Sequence, residues 1–452
     1  PVNYLGSNVF ETQDGVISLP KPLNYGKYKI TEVVAPAGYM LDQTPIVFEV
    51  NEASAPQIIL KHYNTPKKGK IKIHKTGLAF TSIEKIDYSY ACKDDIILTD
   101  RYIPKFSETG LSGVSFAIIA AEDIVTADGT LRYKKDTIVD NLTTVNGSAI
   151  SKELFLGKYT VVETAAPAGY KLNPEKYNVS ITEGETDFAS DVELQIVNDR
   201  AKTKIELKKL AEAWKQNTND NLISREIEKI NGKGFTFGLF AAEDIPTYDG
   251  QSVIKKDSLI VTGETDENGI LEFDTDLPFA KYYLKELNVP DCKYNISEEK
   301  FPVDLTATGN DGNLILSAIE EPILNTFDRF EVKIKKSDLT NSAPVEGAII
   351  EIYDSENNIL YREKTGADGY LPEIWLEPGT YTFKEIAAPE GYALNTTIFK
   401  FTVDEQGAVS GDTEIKDDIT RYSVVKTDEN GNPLEGVGFG LFDKGGTLIS
   451  EV

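Results

Sequence analysis

The sequence is poor in the residues on which most metal and redox chemistry depends. Its 452 residues include two cysteines and two histidines. Cys92 and Cys292 lie far apart and show no metal-ligand or redox spacing. That argues against a disulfide framework and reads both as packed or incidental thiols. His62 and His74 are too few for a histidine-based triad or a multi-histidine metal site, so neither a metal nor a cofactor is expected. Positive charge is also scarce: 47 Lys and Arg against 73 Asp and Glu leave a net charge of −26. Such a surface argues against nucleic acid and against anionic membranes as partners. No apolar run approaches the length of a membrane span, so no membrane insertion is expected. The first residues carry no signal-peptide pattern and the last no sorting signal. The chain opens inside one repeat and stops inside another, so it reads as a fragment of a longer protein.

What the sequence does have is ordinary globular hydrophobicity, 40% of residues, and a string that recurs. YTVVETAAPAGY at Tyr159–Tyr170 returns as YKITEVVAPAGY at Tyr28–Tyr39 and as YTFKEIAAPEGY at Tyr381–Tyr392. A divergent copy, YYLKELNVPDCKY, spans Tyr282–Tyr294. In every copy a glutamate stands four residues after a tyrosine and four before a proline: Glu32, Glu163, Glu286 and Glu385. Alternation before the glutamate predicts a β-strand, and the Pro-x-Gly after it an exit turn. A carboxylate on an apolar strand is costly unless it is neutral or has a task.

Dense short strands separated by DG, NG and PxG turns predict an all-β chain of tandem sandwiches. A period of roughly 90 to 135 residues is too long for a solenoid repeat. The units are 1–66 (the closing part of a truncated domain), 67–200 with an insertion at 78–110, and 201–327 with an insertion at 210–229. A compact domain at 328–419 and the opening part of another at 420–452 complete the chain. Val9–Ile17 and Gln57–Asn64 are expected as strands, the first insertion as a long mixed segment, and LAEAWKQ in the second as partly helical. Asp128-Gly129 and Asp428-Glu429-Asn430-Gly431 lack the later bidentate glutamate of a calcium loop and read as hairpin turns. Tyr88, Tyr90, Tyr102 and Phe106 of the first insertion suit either a small local core or a ligand surface.

The first and last strands of each unit carry a second pattern. Ile71, Ile73 and Lys75 share one strand face. So do Ile205, Leu207 and Lys209, then Val332, Ile334 and Lys336, then Tyr422, Val424 and Lys426. The preceding closing strands place Asn64, Asn198 and Asn325 eleven residues before a lysine, and Asp417 nine before Lys426. Asp418 is a neighbouring candidate; strand parity selects Asp417. Pro322 interrupts the closing strand that carries Asn325. Each complete unit therefore owns an inward lysine, a motif glutamate and a terminal Asn or Asp. Burial lowers a lysine pKa and raises a glutamate pKa, leaving a neutral amine beside a carboxylic acid. The amine can attack the carboxamide while the acid polarises its carbonyl and moves protons. The sets are Lys75–Glu163–Asn198, Lys209–Glu286–Asn325 and Lys336–Glu385–Asp417. Glu32 and Asn64 lack a lysine, and Lys426 lacks partners.

These motifs, with a GxxF-type second strand, resemble the Cna B-type, SpaA-like (prealbumin-like) domains of Gram-positive surface adhesins and pilins. The resemblance covers nearly all of the chain apart from the two insertions. It implies transthyretin-like sandwiches and self-formed Lys–Asn or Lys–Asp isopeptide bonds, with no turnover of outside substrates. It also implies export and sortase-mediated attachment to a cell wall or pilus. The function expected is a force-resistant stalk or pilus-shaft segment. The alternative is an adhesin region whose insertions contact a host protein or glycan.

Overall fold

The computed structural model describes residues 8–19, 21–92, 95–184, 189–306, 314–419, 421 and 423–451. Every helix or strand element among them is a strand. The chain divides into two compact units: Pro1–Lys209 with Lys233–Val289 and Ile296–Ile323, and Leu210–Gly232 with Pro290–Asn295 and Leu324–Val452.

In the first unit, strands between Lys68 and Asn198 form a two-layer sandwich. One layer has the motif strand Gly157–Ala165 between Lys176–Ile181 and Ser115–Ala120, with Ile138–Thr143 beyond. The other is built on the long strand Ile71–Cys92. Its first residues pair antiparallel with Ser148–Ile150 and parallel with the closing strand Val192–Asn198. Strict alternation buries Ile71, Ile73 and Lys75 on the face that also carries Ile196 and Asn198. Phe116, Ile118, Tyr159, Val161 and Ile181 fill the space between the layers. Burying each such side chain contributes about 1.5 to 3 kcal/mol. A second sandwich of this unit uses Thr236–Ala241 between Leu259–Glu264 and Lys281–Asn288. Opposite lie Thr203–Lys208, Ile270–Phe273 and Ile315–Ala318.

The second unit repeats the plan. Ile349–Tyr353 pairs with Ile359–Lys364 and with the motif strand Gly379–Ala387, which continues to Phe399–Val403. Lys335–Asp338 runs parallel to Glu414–Asp417 over a core that includes Ile334, Ile350, Phe383 and Ile415.

The motif turns follow from their residues. Gly38, Gly169 and Gly391 have φ of +82°, +82° and +90°, the left-handed conformation that a type II turn requires and glycine supplies. Each turn closes with the motif tyrosine N–H donating to the proline carbonyl three residues back. In the divergent copy Tyr294 donates to Asp291 rather than to Pro290. The inserted residue thus moves the turn one position along.

Several expectations fail. LAEAWKQ is not helical: it lies in the unbroken strand Thr203–Asn219, which pairs with Leu222–Asn231. Asp220 and Asn221 between them have φ of 47° and 68°, the two positive values of a type I′ hairpin turn. That turn and its long ladder outweigh the helix propensity of the leucine and alanines. Gln57–Asn64 is not a strand, and Val9–Ile17 holds only the isolated bridge between Gln13 and Val16. Closing strands elsewhere are held by an opening strand, and none precedes these segments among the described residues. Val424–Lys426 likewise form no strand and are exposed, while Tyr422 lies outside the described residues. The first insertion is a regular hairpin, Ile71–Cys92 with Asp95–Gly110.

Candidate cross-link sites

The motif glutamate is positioned by its neighbour strand. Glu163 pairs with Phe116, Glu286 with Phe237 and Glu385 with Ile350, and the register slips beside each pair. Those partners are the fourth residues of the GVSF, GFTF and GAII strings. The bulge re-aims the local side chains, as bulges beside functional sites do. The first motif tyrosine anchors the strand start: Tyr28, Tyr159, Tyr282 and Tyr381 each donate to the carbonyl four residues earlier.

In the 67–200 sandwich the three expected residues meet in the core, with relative exposures of 0% for Lys75 and 3% each for Glu163 and Asn198. Lys75 Nζ donates to Asn198 Oδ1 at 2.5 Å and lies 3.5 Å from Glu163 Oε2. Asn198 Nδ2 donates to Glu163 Oε1 at 2.6 Å. Parallel register sets Lys75 opposite Ile196, two residues before Asn198. Burial pushes the Lys75 ammonium down from its ordinary value, against the pull of Glu163.

The compact domain repeats this register: Lys336 lies opposite Ile415, two residues before Asp417. All three side chains are fully buried, with Lys336 Nζ 3.0 Å from Glu385 Oε1 and in contact with Asp417 Oδ1. Burial raises the Glu385 carboxyl, opposed by its hydrogen bonds and by Lys336. Asp418 is exposed and pairs with Arg421.

In the first unit, Lys209 Nζ stands 3.7 Å from Glu286 Oε1 and donates to the Ile323 carbonyl at 3.1 Å. Burial pushes its pKa down to about 8 despite Glu286. In the second unit Asn325 is buried and donates to the Asn295 carbonyl at 2.9 Å. In residues 1–66 the half-buried Asn64 donates to Glu32 Oε1 at 2.7 Å. Lys426 is exposed.

One part of the site escaped the sequence reading. A backbone N–H ten or eleven residues after each glutamate donates to its carboxylate: Asp42 to Glu32, Asn173 to Glu163, Ser297 to Glu286 and Asn395 to Glu385. Asn173 and Asn395 also donate from their side chains to Val197 O and Lys416 O, the residues just before Asn198 and Asp417. The signal was present as a polar residue three positions after the second motif tyrosine, in GYMLD, GYKLN, KYNIS and GYALN.

The arrangement joins opening, motif and closing strands through a buried amine, a carboxyl group and a carboxamide or second carboxyl group. Amide formation between the first and last strands is the chemistry these groups can perform. Among the described residues no group of three or more potential ligands could hold a metal.

The model of the SpaA prealbumin-like fold domain matches residues 5–66, 103–199, 225–317 and 330–418. The trypsin-resistant surface T6 protein of Streptococcus pyogenes serotype M6 is 32% identical over 93 residues, 21% of this chain and 17% of that protein. The chain thus aligns with less than a fifth of that relative's length. Among solved structures, the Bacillus anthracis TIE protein is 21% identical over 87% of this chain and 69% of its own, with a TM-score of 0.43. The major pilin subunit BcpA of Bacillus cereus is 15% identical over 78% of this chain and 99% of its own, with a TM-score of 0.30.

Proposed function

We propose that this chain, which belongs to the SpaA family of prealbumin-like fold domains, is a stalk or pilus-shaft segment of a Gram-positive surface protein. Its domains seal themselves with intramolecular isopeptide bonds. The observation that carries the reading is the buried Lys75–Glu163–Asn198 contact between parallel first and last strands. The neutral Lys75 amine attacks Asn198 Cγ and an Nζ–Cγ bond forms. Glu163 takes the Nζ proton through Oε2 and delivers one through Oε1 to Nδ2. The Cγ–Nδ2 bond then breaks and ammonia leaves. In the compact domain, Lys336 and Asp417 condense: an Nζ–Cγ bond forms, one Cγ–O bond of Asp417 breaks and that oxygen leaves as water while Glu385 shuttles the proton. The Lys209–Glu286–Asn325 set follows the same chemistry on the strength of its eleven-residue interval. Each domain reacts once, on itself.

Pulling on the two ends of such a domain loads its parallel first and last strands in shear, and the bond lies between them. Tension then passes from Lys75 to Asn198 without unfolding the sandwich. The relative's description as a trypsin-resistant surface protein is in keeping with a chain that opens rarely. Display outside the cell, and sortase-mediated attachment to wall or pilus, follow from the family reading. Tyr88 and Phe106 of the first insertion are engaged within the chain, which favours the stalk over the ligand-contact alternative. Intact mass tests the bonds: each Lys–Asn bond removes one ammonia and the Lys–Asp bond one water. A chain of full sequence mass would overturn the proposal.

A further inference from the structure

The first insertion has no part in the bond chemistry, yet it is one of the most regular elements of the first unit. Beyond Gly77 the strand Ile71–Cys92 leaves its own sandwich and pairs with Asp95–Gly110 along an arm that ends beside the following sandwich. There Arg101 pairs with Leu259, the first residue of the edge strand Leu259–Glu264. Tyr88 Oη lies 2.6 Å from Thr262 Oγ1 of that strand, and the Arg101 guanidinium sits 5.0 Å from the Tyr88 ring centroid. At the base of the arm, Phe80 O accepts from Tyr248 N at 2.7 Å, while Tyr248 Oη accepts from Ser112 N at 3.0 Å.

Arg200 lies at the junction of the two sandwiches, and its side chain is 6% exposed. It stacks between Phe106 of the arm, 4.5 Å away, and Phe279 of the following sandwich, 4.0 Å away. Its guanidinium donates to the Leu277 carbonyl and pairs with Asp276 at 3.6 Å. The motif turn joins this contact, because a Cβ on Gly169 would stand 2.2 Å from the Phe279 ring. The second insertion behaves alike within its own unit. Ile223 pairs with Arg362 of the edge strand Ile359–Lys364, and Trp214 Nε1 donates to Glu377 at 2.7 Å. Each arm therefore meets the equivalent strand, the one beside the GxxF-type strand, although the two arm sequences are unrelated.

We propose that the Leu78–Gly110 arm is a splint: it caps the open edge of the following sandwich by strand addition and, with the Arg200 stack, locks the two sandwiches into one stiff body. An uncovered edge is a template for unwanted pairing, and strand addition is a standard way to occupy one. The partner surface is the Leu259–Glu264 edge with Phe279 and Leu277. Because the arm lies between Lys75 and Asn198 in the chain, the proposed bond would keep it outside the path of tension. The splint itself does not depend on that bond.

The test uses hydrogen exchange on the full 452-residue chain. In one variant residues 83–104 are replaced by Asn-Gly, which keeps the base of the hairpin; in a second, Tyr88→Phe and Arg101→Ala leave the arm at full length. The splint requires amides of Leu259–Glu264 to exchange about tenfold faster in the shortened chain, roughly the worth of one net backbone hydrogen bond. The double substitution should give a smaller increase, and the Ser115–Ala120 strand should be unchanged. X-ray scattering should show a broader distribution of shapes for the shortened chain. If Ser115–Ala120 also loses protection, the shortened chain has misfolded and the double substitution decides. Equal exchange at Leu259–Glu264 in every folded variant overturns the splint. Glu163→Gln should leave that strand protected, so failure of the bond and failure of the splint are separable.

Discussion

Replacing Glu163 by Gln keeps the volume of the side chain and an oxygen for Asn198 Nδ2, but removes the proposed proton carrier. The expected outcome is a chain heavier by one ammonia than the reacted wild type, after correction for the substitution itself. Peptide mapping should return the Lys75 and Asn198 peptides as separate species. The proposed bond would close a loop between residues 123 apart. By the chain-entropy relation used for disulfides, its absence costs about 5 kcal/mol through the unfolded state. For a domain of this size, about 3 to 4 °C of melting temperature accompanies each kcal/mol. The 67–200 transition should therefore fall by about 15 to 20 °C in scanning calorimetry, with the compact domain unmoved. Two results refute the reasoning in different places. If Glu163→Gln still lacks the ammonia, Glu163 is not the proton carrier. If the mass is restored but the transition moves by only a degree or two, the bond does not constrain the unfolded chain as argued.

Asp417→Asn should mature to the same mass as the wild type, because the atoms that distinguish the two side chains leave as ammonia or water; Asp417→Ala should be heavier than the reacted wild type by one water, after correction for the substitution. Asn173→Ala should slow bond formation without abolishing it, since the backbone N–H to Glu163 survives while the side-chain hold on Val197 O is lost; the unreacted fraction in a mass time course after refolding reads this. In Asn325→Ala, Lys209 stays unbonded with a folded pKa of about 8 against an ordinary 10.5. Below about 8 both states hold the proton and the folded domain bears the cost of a buried ammonium. Between the two values only the unfolded chain holds it, so urea stability should rise with pH across that window and level off above it. Gly169→Ala should cost at least about 1 kcal/mol through its positive φ alone, plus the clash with Phe279. Phe279→Ala in that background should recover the steric share only, read as the melting temperature of the 67–200 domain.

Much of the site could be read in advance because its spacing is simple. The tyrosine–glutamate–proline spacing marks a strand with one carboxylate and a turn. The parity of Ile71, Ile73 and Lys75 needed only the two-residue period of a strand. The GxxF strings were visible, but their role was not: that Phe116 and Phe237 pair with the glutamates is a matter of register between strands more than forty residues apart. Asn173 and Asn395 escaped because a polar residue after a turn looks like an ordinary loop residue until its N–H is seen donating to the carboxylate. The insertions were the least legible. The apolar spacing of LAEAWKQ fits a helix and a two-faced strand equally, and the Asp220-Asn221 turn decides in favour of the strand.

At the motif glutamate the division is plain. The sequence alone determined that each complete unit would be all-β and own an inward lysine, a glutamate on an apolar strand and a terminal Asn or Asp, because strand periodicity is local and burial follows it. Only the tertiary structure decided that the first and last strands run parallel and adjacent, so that Lys75 touches Asn198 across 123 positions. It alone decided that a bulge follows the register at Glu163, and that the insertion at 78–110 is an arm seated on another sandwich's edge. Those are pairings between distant segments, and which edge a strand adds to depends on surfaces that exist only once the chain has folded.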